Sequence, residues 1–254
     1  EYTPLDGYDG IPAHSGDFVH FVVLGMSKMG VAMGVEAALQ AHYPNFKKAR
    51  TRISFVDPDA DSEMRFMLGR YSSLFGLARR KYVDASACDA GMLEPSAGWI
   101  DPMESSGCRW RHLSDDGSNF IDTEFEFVKG GIESEGVREW LRKAAAEENA
   151  RLTVAVCLDR THRAIAASLY LPAEIYDRVQ QIWVYQKDAS DIVLNLSGAE
   201  VPDERYRKLR PFGMLHGEYM RDRSSYLKSV LVNGVYELDG EKFKASERDM
   251  AVRE

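Results

Sequence analysis

The residues with the clearest chemical purpose stand together in Gly25-Met26-Ser27-Lys28-Met29-Gly30. A phosphate pair seated on the N-terminus of a helix needs exposed backbone N–H groups and no side chain in its path. Gly25 supplies the tight turn and Gly30 the close helix–strand contact of a G-x-G-x-x-G fingerprint, with Ser27 in the place of the middle glycine. A serine adds only a hydroxymethyl group, whose hydroxyl can donate to a phosphate, and Lys28 can pair with one. Downstream, Asp57 followed by Pro58 offers a carboxylate to a ribose hydroxyl and disfavours a 2′-phosphate, so the pattern points to NAD or NADH rather than NADP. Asp57 stands further from Gly25 than the usual offset of about 20 residues. The loop Tyr43-Pro-Asn-Phe-Lys-Lys48 accounts for the extra length.

Other reactive residues make weaker patterns. Tyr43-x-x-x-Lys47 has the spacing of a dehydrogenase proton donor, but it lies in the loop entering the second strand, and Pro44 forbids a continuing helix. Ser27 in a strand–turn–helix setting gives G-x-S-x-x-G, one residue too long for a hydrolase elbow. Cys108-x-x-x-His112, with Cys88 upstream and Asp115-Asp116 after, contains no C-x-x-C pair, and no metal site is assigned. Cys157 closes an apolar run and reads as a small core residue, and His162 as a structural histidine.

The elements that must position these residues follow from periodicity. Phe18–Leu24 is a short β-branched apolar run ending at Gly25, the pattern of a buried parallel strand, and Met29–His42 is an Ala- and Met-rich helix. Arg52–Asp57, Glu124–Val128, Leu152–Cys157, Gln181–Tyr185 and Arg207–Met214 read as further strands. Ser134–Glu148, His162–Tyr170 and Ala189–Leu196 read as helices. Strict alternation implies parallel pairing through right-handed crossovers, hence a doubly wound α/β sheet of about six strands with helices on both faces. Residues 1–17 read as a leader or linker. The Rossmann-type domain spans 18–215, with an irregular insertion at about 84–120 after the second strand. Residues 216–254 form a charged extension in which Tyr219, Tyr226, Leu227, Val230 and Leu231 can line a dimerising helix face.

Composition narrows the class. With 254 residues, 44% of them hydrophobic, the chain can build one large α/β core. A net charge of -8 without a basic cluster disfavours nucleic acid as a partner. No run approaches the ~20 apolar residues of a membrane helix. Three cysteines, Cys88, Cys108 and Cys157, make no disulfide framework and suit a reducing, cytoplasmic setting. The start at Glu1 suggests a piece of a longer protein.

Four segments together resemble the N-terminal Rossmann domain of the regulator-of-potassium-conductance family, the TrkA N-terminal type. They are the glycine turn, Phe55-Val-Asp57, Glu126-Phe-Val-Lys-Gly-Gly-Ile-Glu133 and Thr153-Val-Ala-Val-Cys-Leu-Asp-Arg160. Where the family has Gly-Asp after the third strand, this chain has Gly130-Gly131. The resemblance implies a cytosolic regulatory domain of a potassium channel or transport system that binds NAD(H), ATP or ADP and forms a homodimer. Carried over by position, it adds Gly130 and the strand end Cys157-Leu158-Asp159 to the ligand contacts. Two alternatives are an NAD-dependent oxidoreductase, its substrate part in the insertion or the C-terminal extension, and a degenerate Rossmann module that binds only protein.

Overall fold

The computed structural model describes residues 3–86, 98–100, 121–187, 192–196 and 203–213. These fall almost wholly into one compact unit, 1–186 with 190–212. Seven parallel strands form its sheet. They are β1 (Phe18–Leu24), β2 (Thr51–Asp57), β3 (Arg79–Asp84), β4 (Thr123–Lys129), β5 (Ala150–Val156), β6 (Gln181–Tyr185) and β7 (Leu209–Phe212). Their spatial order is β3-β4-β2-β1-β5-β6-β7. The doubly wound, Rossmann-like arrangement is therefore present, with one strand more than periodicity suggests.

The sheet is a wall between two separate cores. Odd-numbered residues of β1, β2 and β4, among them Phe21, Val23, Phe55, Phe125 and Phe127, pack under α1 (Lys28–Gln40), α2 (Ala60–Arg70) and α3 (Ser72–Phe75). Even-numbered residues such as Val22, Leu24, Val56 and Val128 join Val154 and Val156 under α4 (Glu135–Ala146), α5 (Thr161–Leu169) and α6 (Ala173–Arg178). Burial on both faces is why the central strands read as continuous apolar runs. In α4 the buried residues Val137, Trp140, Leu141, Ala144 and Ala145 repeat at helical spacing, and Ser134 caps the helix by accepting from Val137 N. Gly34 of α1 lets the Phe55 ring lie against the helix backbone, in the space a side chain would occupy.

Strand β3 is absent from the sequence expectation for a physical reason. Arg79-Arg-Lys-Tyr-Val-Asp84 opens on three cations, which disguises it as loop. Two of those cations face carboxylates of the neighbouring strand: Lys81 Nζ lies 3.2 Å from Glu126 and Arg79 3.9 Å from Glu124. Between β2 and the expected insertion at about 84–120 the chain is regular. It holds α2, α3 and β3, and Ile100 returns to pair with Arg80 in an antiparallel bridge. Of the insertion itself, 87–97 and 101–120 lie outside the described residues, as do Ala189, Met214 and the extension 216–254. The last strand is shorter than expected because 204–208 wind into a 3-10 turn before Leu209. Pro211 sits there on an edge strand, where a missing ladder donor is tolerated.

Among the described residues before Phe18 there is no strand or helix, but the stretch is tied to the sheet. Ile11 is buried, Arg151 donates to Asp6 O and to the Asp17 carboxylate, and Asn45 Nδ2 donates to the carbonyls of Ser15 and Asp17.

Candidate nucleotide site

Backbone hydrogen bonds draw the carboxyl ends of the four central strands to one rim. Gly25 N donates to Val56 O at 2.8 Å, joining the turn after β1 to β2. Cys157 N donates to Leu24 O at 2.8 Å, joining β5 to β1, and Gly130 N to Asp57 O at 3.0 Å, joining β4 to β2. The chain leaves β1 toward β2 on one side and later returns to β5 on the other. The glycine turn thus lies at the point where the strand order reverses, the place where open α/β sheets bind ligands. Gly25 has φ +101°, and a Cβ there would stand 2.9 Å from Cys157 O. A Cβ on Gly30 would collide with the Gly25 carbonyl oxygen. Both glycines are therefore required by the tightness of the turn.

Ser27 is the N-cap of α1, its Oγ accepting from Gly30 N at 3.2 Å. That contact uses a lone pair and leaves the hydroxyl proton for another acceptor. Gly30 N and Val31 N are satisfied by Ser27, so the exposed start of the helix is the turn before them, where Lys28 is exposed. Asp57 has a structural task that its position in the sequence does not announce. Its Oδ2 accepts from Met26 N at 2.8 Å and its Oδ1 from Asp59 N at 2.9 Å, so the carboxylate clamps the glycine turn onto β2. A carboxylate offers about four acceptor positions, and a ribose hydroxyl can still approach this one.

Each residue expected at the ligand is at this rim. Gly25, Met26 and Gly30 are buried, Ser27 and Met29 half-buried, and Lys28 exposed. Asp57 is half-buried beside exposed Pro58, and Gly130 and Cys157 are buried with Leu158 half-buried and Asp159 exposed. The pattern did not single out Glu133, whose carboxylate lies 3.0 Å from where a Cβ on Gly131 would begin. The Glu133 carboxylate thus occupies the space where a side chain at 131 would begin. Lys129, at the end of β4, is a second omission and faces Asp61 of α2 at 3.5 Å. The only signal for either is adjacency to Gly130-Gly131.

Of three side chains weighed for chemistry, one is passivated and one is placed elsewhere. Burial pushes the Cys157 thiol up to about 12, and its Sγ rests 3.8 Å from Met33 Sδ, so it is a core thiol rather than a reactive thiolate. Tyr43 lies before β2, at the opposite end of the sheet from the glycine turn, and burial followed by Asp6 raises its phenol to about 12. His162 is exposed in the first turn of α5. Cys88, Cys108 and His112 lie outside the described residues. Among the described residues, no three His, Cys, Asp or Glu side chains converge to hold a metal, and no helix is long and apolar enough to cross a membrane.

Neither a family model, nor a curated protein, nor a solved structure matches this chain.

Proposed function

We propose that this chain is a nucleotide-binding regulatory domain that takes NAD(H), or another adenine nucleotide, at the rim formed by Gly25–Gly30 and Asp57. The observation that carries the reading is the glycine turn itself. It opens a 13-residue helix at the reversal point of the sheet, held there by a carboxylate from the next strand. Phosphates would lie over the backbone N–H groups at the start of α1, with the Ser27 hydroxyl as donor and Lys28 as counter-charge. The adenosine ribose would meet Asp57 and, through it, the end of β2. Asp59 and Asp61 stand close by in the sequence, an acidic setting that disfavours a 2′-phosphate.

A regulatory rather than catalytic role is favoured by the position of Tyr43. The chain's Tyr-x-x-x-Lys pair is at the far end of the sheet, with its phenol held protonated, and cannot reach a nicotinamide at the rim. Regulation requires that the ligand prefer one of two conformations. The target, a membrane channel or transporter, and the homodimeric state rest on the resemblance of the four sequence segments to potassium-conductance regulators.

Calorimetric titration of the protein with NAD, NADH, NADP, ATP and ADP tests the reading. One of the four nucleotides lacking a 2′-phosphate binds at micromolar affinity, NADP binds at least about tenfold more weakly, and Asp57→Ala loses at least about tenfold, roughly 1.4 kcal/mol. Absence of binding by all five sinks the reading and leaves a scaffold that engages only protein.

A further inference from the structure

The carboxyl end of β6, on the same rim as the glycine turn, carries an unsatisfied polar group. Gln186, the residue after β6, is fully buried, yet among the described residues neither its Oε1 nor its Nε2 has a hydrogen-bond partner. Buried amides in folded proteins are paired, so this orphan needs a physical reason. Its backbone is firmly placed, since Gln186 N donates to Phe212 O at 2.9 Å and so continues the ladder with β7. Alternation with Ile182 and Val184 puts position 186 on the face covered by α5, whose Ala164 and Ile165 share a core with them. Val156 of β5 pairs in register with Val184, which sets Gln186 level with Leu158, just before α5 begins at Thr161. The orphan amide therefore stands at the level of the first turn of α5.

That turn suits a negatively polarised group. Its cap position is Arg160, whose side chain makes no cap bond, and its first turn holds no acid, whereas Ser27 and Ser134 cap α1 and α4. Arg160 and Arg163 are exposed, and among the described residues no carboxylate pairs with either. Strand β6 stands two strands from β1, about 10 Å away at ~4.8 Å per strand, on the side opposite β2. A nucleotide seated on Gly25–Gly30 with its adenosine toward Asp57 uses the β2 side of the rim. What reaches Gln186 is whatever the molecule carries beyond its phosphates. A further phosphate offers acceptors only, so it would satisfy Nε2 and leave Oε1 orphaned. A carboxamide offers an acceptor and N–H donors together, and it can pair with both ends of a glutamine amide.

We propose that Gln186 reads the carboxamide of a nicotinamide ring, which makes the ligand a dinucleotide, NAD or NADH, rather than ATP or ADP. The inference rests on the glycine turn holding the phosphates, and its test separates the two. The probes are NAD, ADP-ribose, which lacks the nicotinamide, and nicotinic acid adenine dinucleotide, whose carboxylate can only accept. Each is titrated calorimetrically into the whole chain and into Gln186→Met, which keeps the length of the side chain without its amide. NAD binds the wild type at least about tenfold more tightly than either of the other two. Gln186→Met loses that margin and holds ADP-ribose within about twofold of the wild type. Without ligand it melts no lower than the wild type, because it removes an orphaned buried amide. Equal binding of ADP-ribose and NAD to the wild type overturns the carboxamide contact and leaves the phosphate site standing, whereas binding of neither overturns both. A Gln186→Met protein that keeps the margin, loses ADP-ribose as well, or melts lower shows that the amide serves the fold or nothing, and overturns the inference.

Discussion

His20 is fully buried in the middle of β1, and its surroundings decide its protonation. The Ser54 hydroxyl donates to Glu126 Oε2 at 3.0 Å, and so offers a lone pair to His20 Nε2, 2.9 Å away. A proton on Nε2 suits this contact, and the ring makes a T-shaped pair with Trp140. Burial and then the Arg52 charge hold its pKa well below 6.5. A histidine that titrates lower in the folded than in the unfolded chain takes up its proton preferentially on unfolding. Stability is therefore at its full value above about pH 6.5 and is lost as pH falls below that value, at up to ~1.4 kcal/mol per pH unit. Urea denaturation at pH 7.5 and 5.5 checks this: the acid loss is smaller in His20→Gln than in the wild type. Equal losses in both proteins would show that His20 is already charged in the fold. None of this is visible in the sequence, where His20 is one polar letter in an apolar run.

At the level of strands and helices, Gly30 of α1 and Gly69 near the end of α2 make a controlled comparison. A Cβ at Gly30 meets the Gly25 carbonyl and the Cys157 and Val23 side chains, whereas nothing lies within 4 Å of a Cβ at Gly69. Gly30→Ala is expected to cost about 1–3 kcal/mol through overpacking, while Gly69→Ala gains up to ~1 kcal/mol of helix propensity. In thermal melts each kcal/mol corresponds to roughly 2–4 °C for a domain of this size. A Gly30→Ala protein melting with the wild type would mean that the turn is looser than its hydrogen bonds imply. The elements themselves were legible wherever pattern and burial agree. Phe18–Leu24 and Gln181–Tyr185 have the same limits in sequence and structure because they are apolar runs closed by breakers or polar residues. Helices α2 and α6 and strand β3 escaped, since their polar or cationic residues mask the periodicity and only their neighbours in space supply the missing partners.

Across the whole unit, the stretch before β1 shows how distant contacts turn a linker-like sequence into part of the fold. Arg151 of β5 reaches Asp6 O at 2.6 Å and Asp17 at 3.0 Å, and Asn45 holds the same stretch from the other side. Arg151→Ala should release it. Limited proteolysis within residues 3–17 is expected to accelerate about tenfold, the consequence of losing ~1.4 kcal/mol of local protection, with the rest of the domain still resistant. An unchanged cleavage rate would assign the anchoring to Ile11 and Asn45 alone. What the order of residues settled was local. β-branched runs bury as strands, Ser27 and Ser134 start helices, and Gly25 turns the chain tightly, because each preference acts within a few bonds. What waited for the tertiary structure was everything that depends on residues far apart meeting. This includes β3 beyond β4, the tying of Asp57 to Met26, and the burial of His20 beside Ser54. Strand order decides which side chains become neighbours, and a linear pattern of apolar and polar residues is the same for many strand orders.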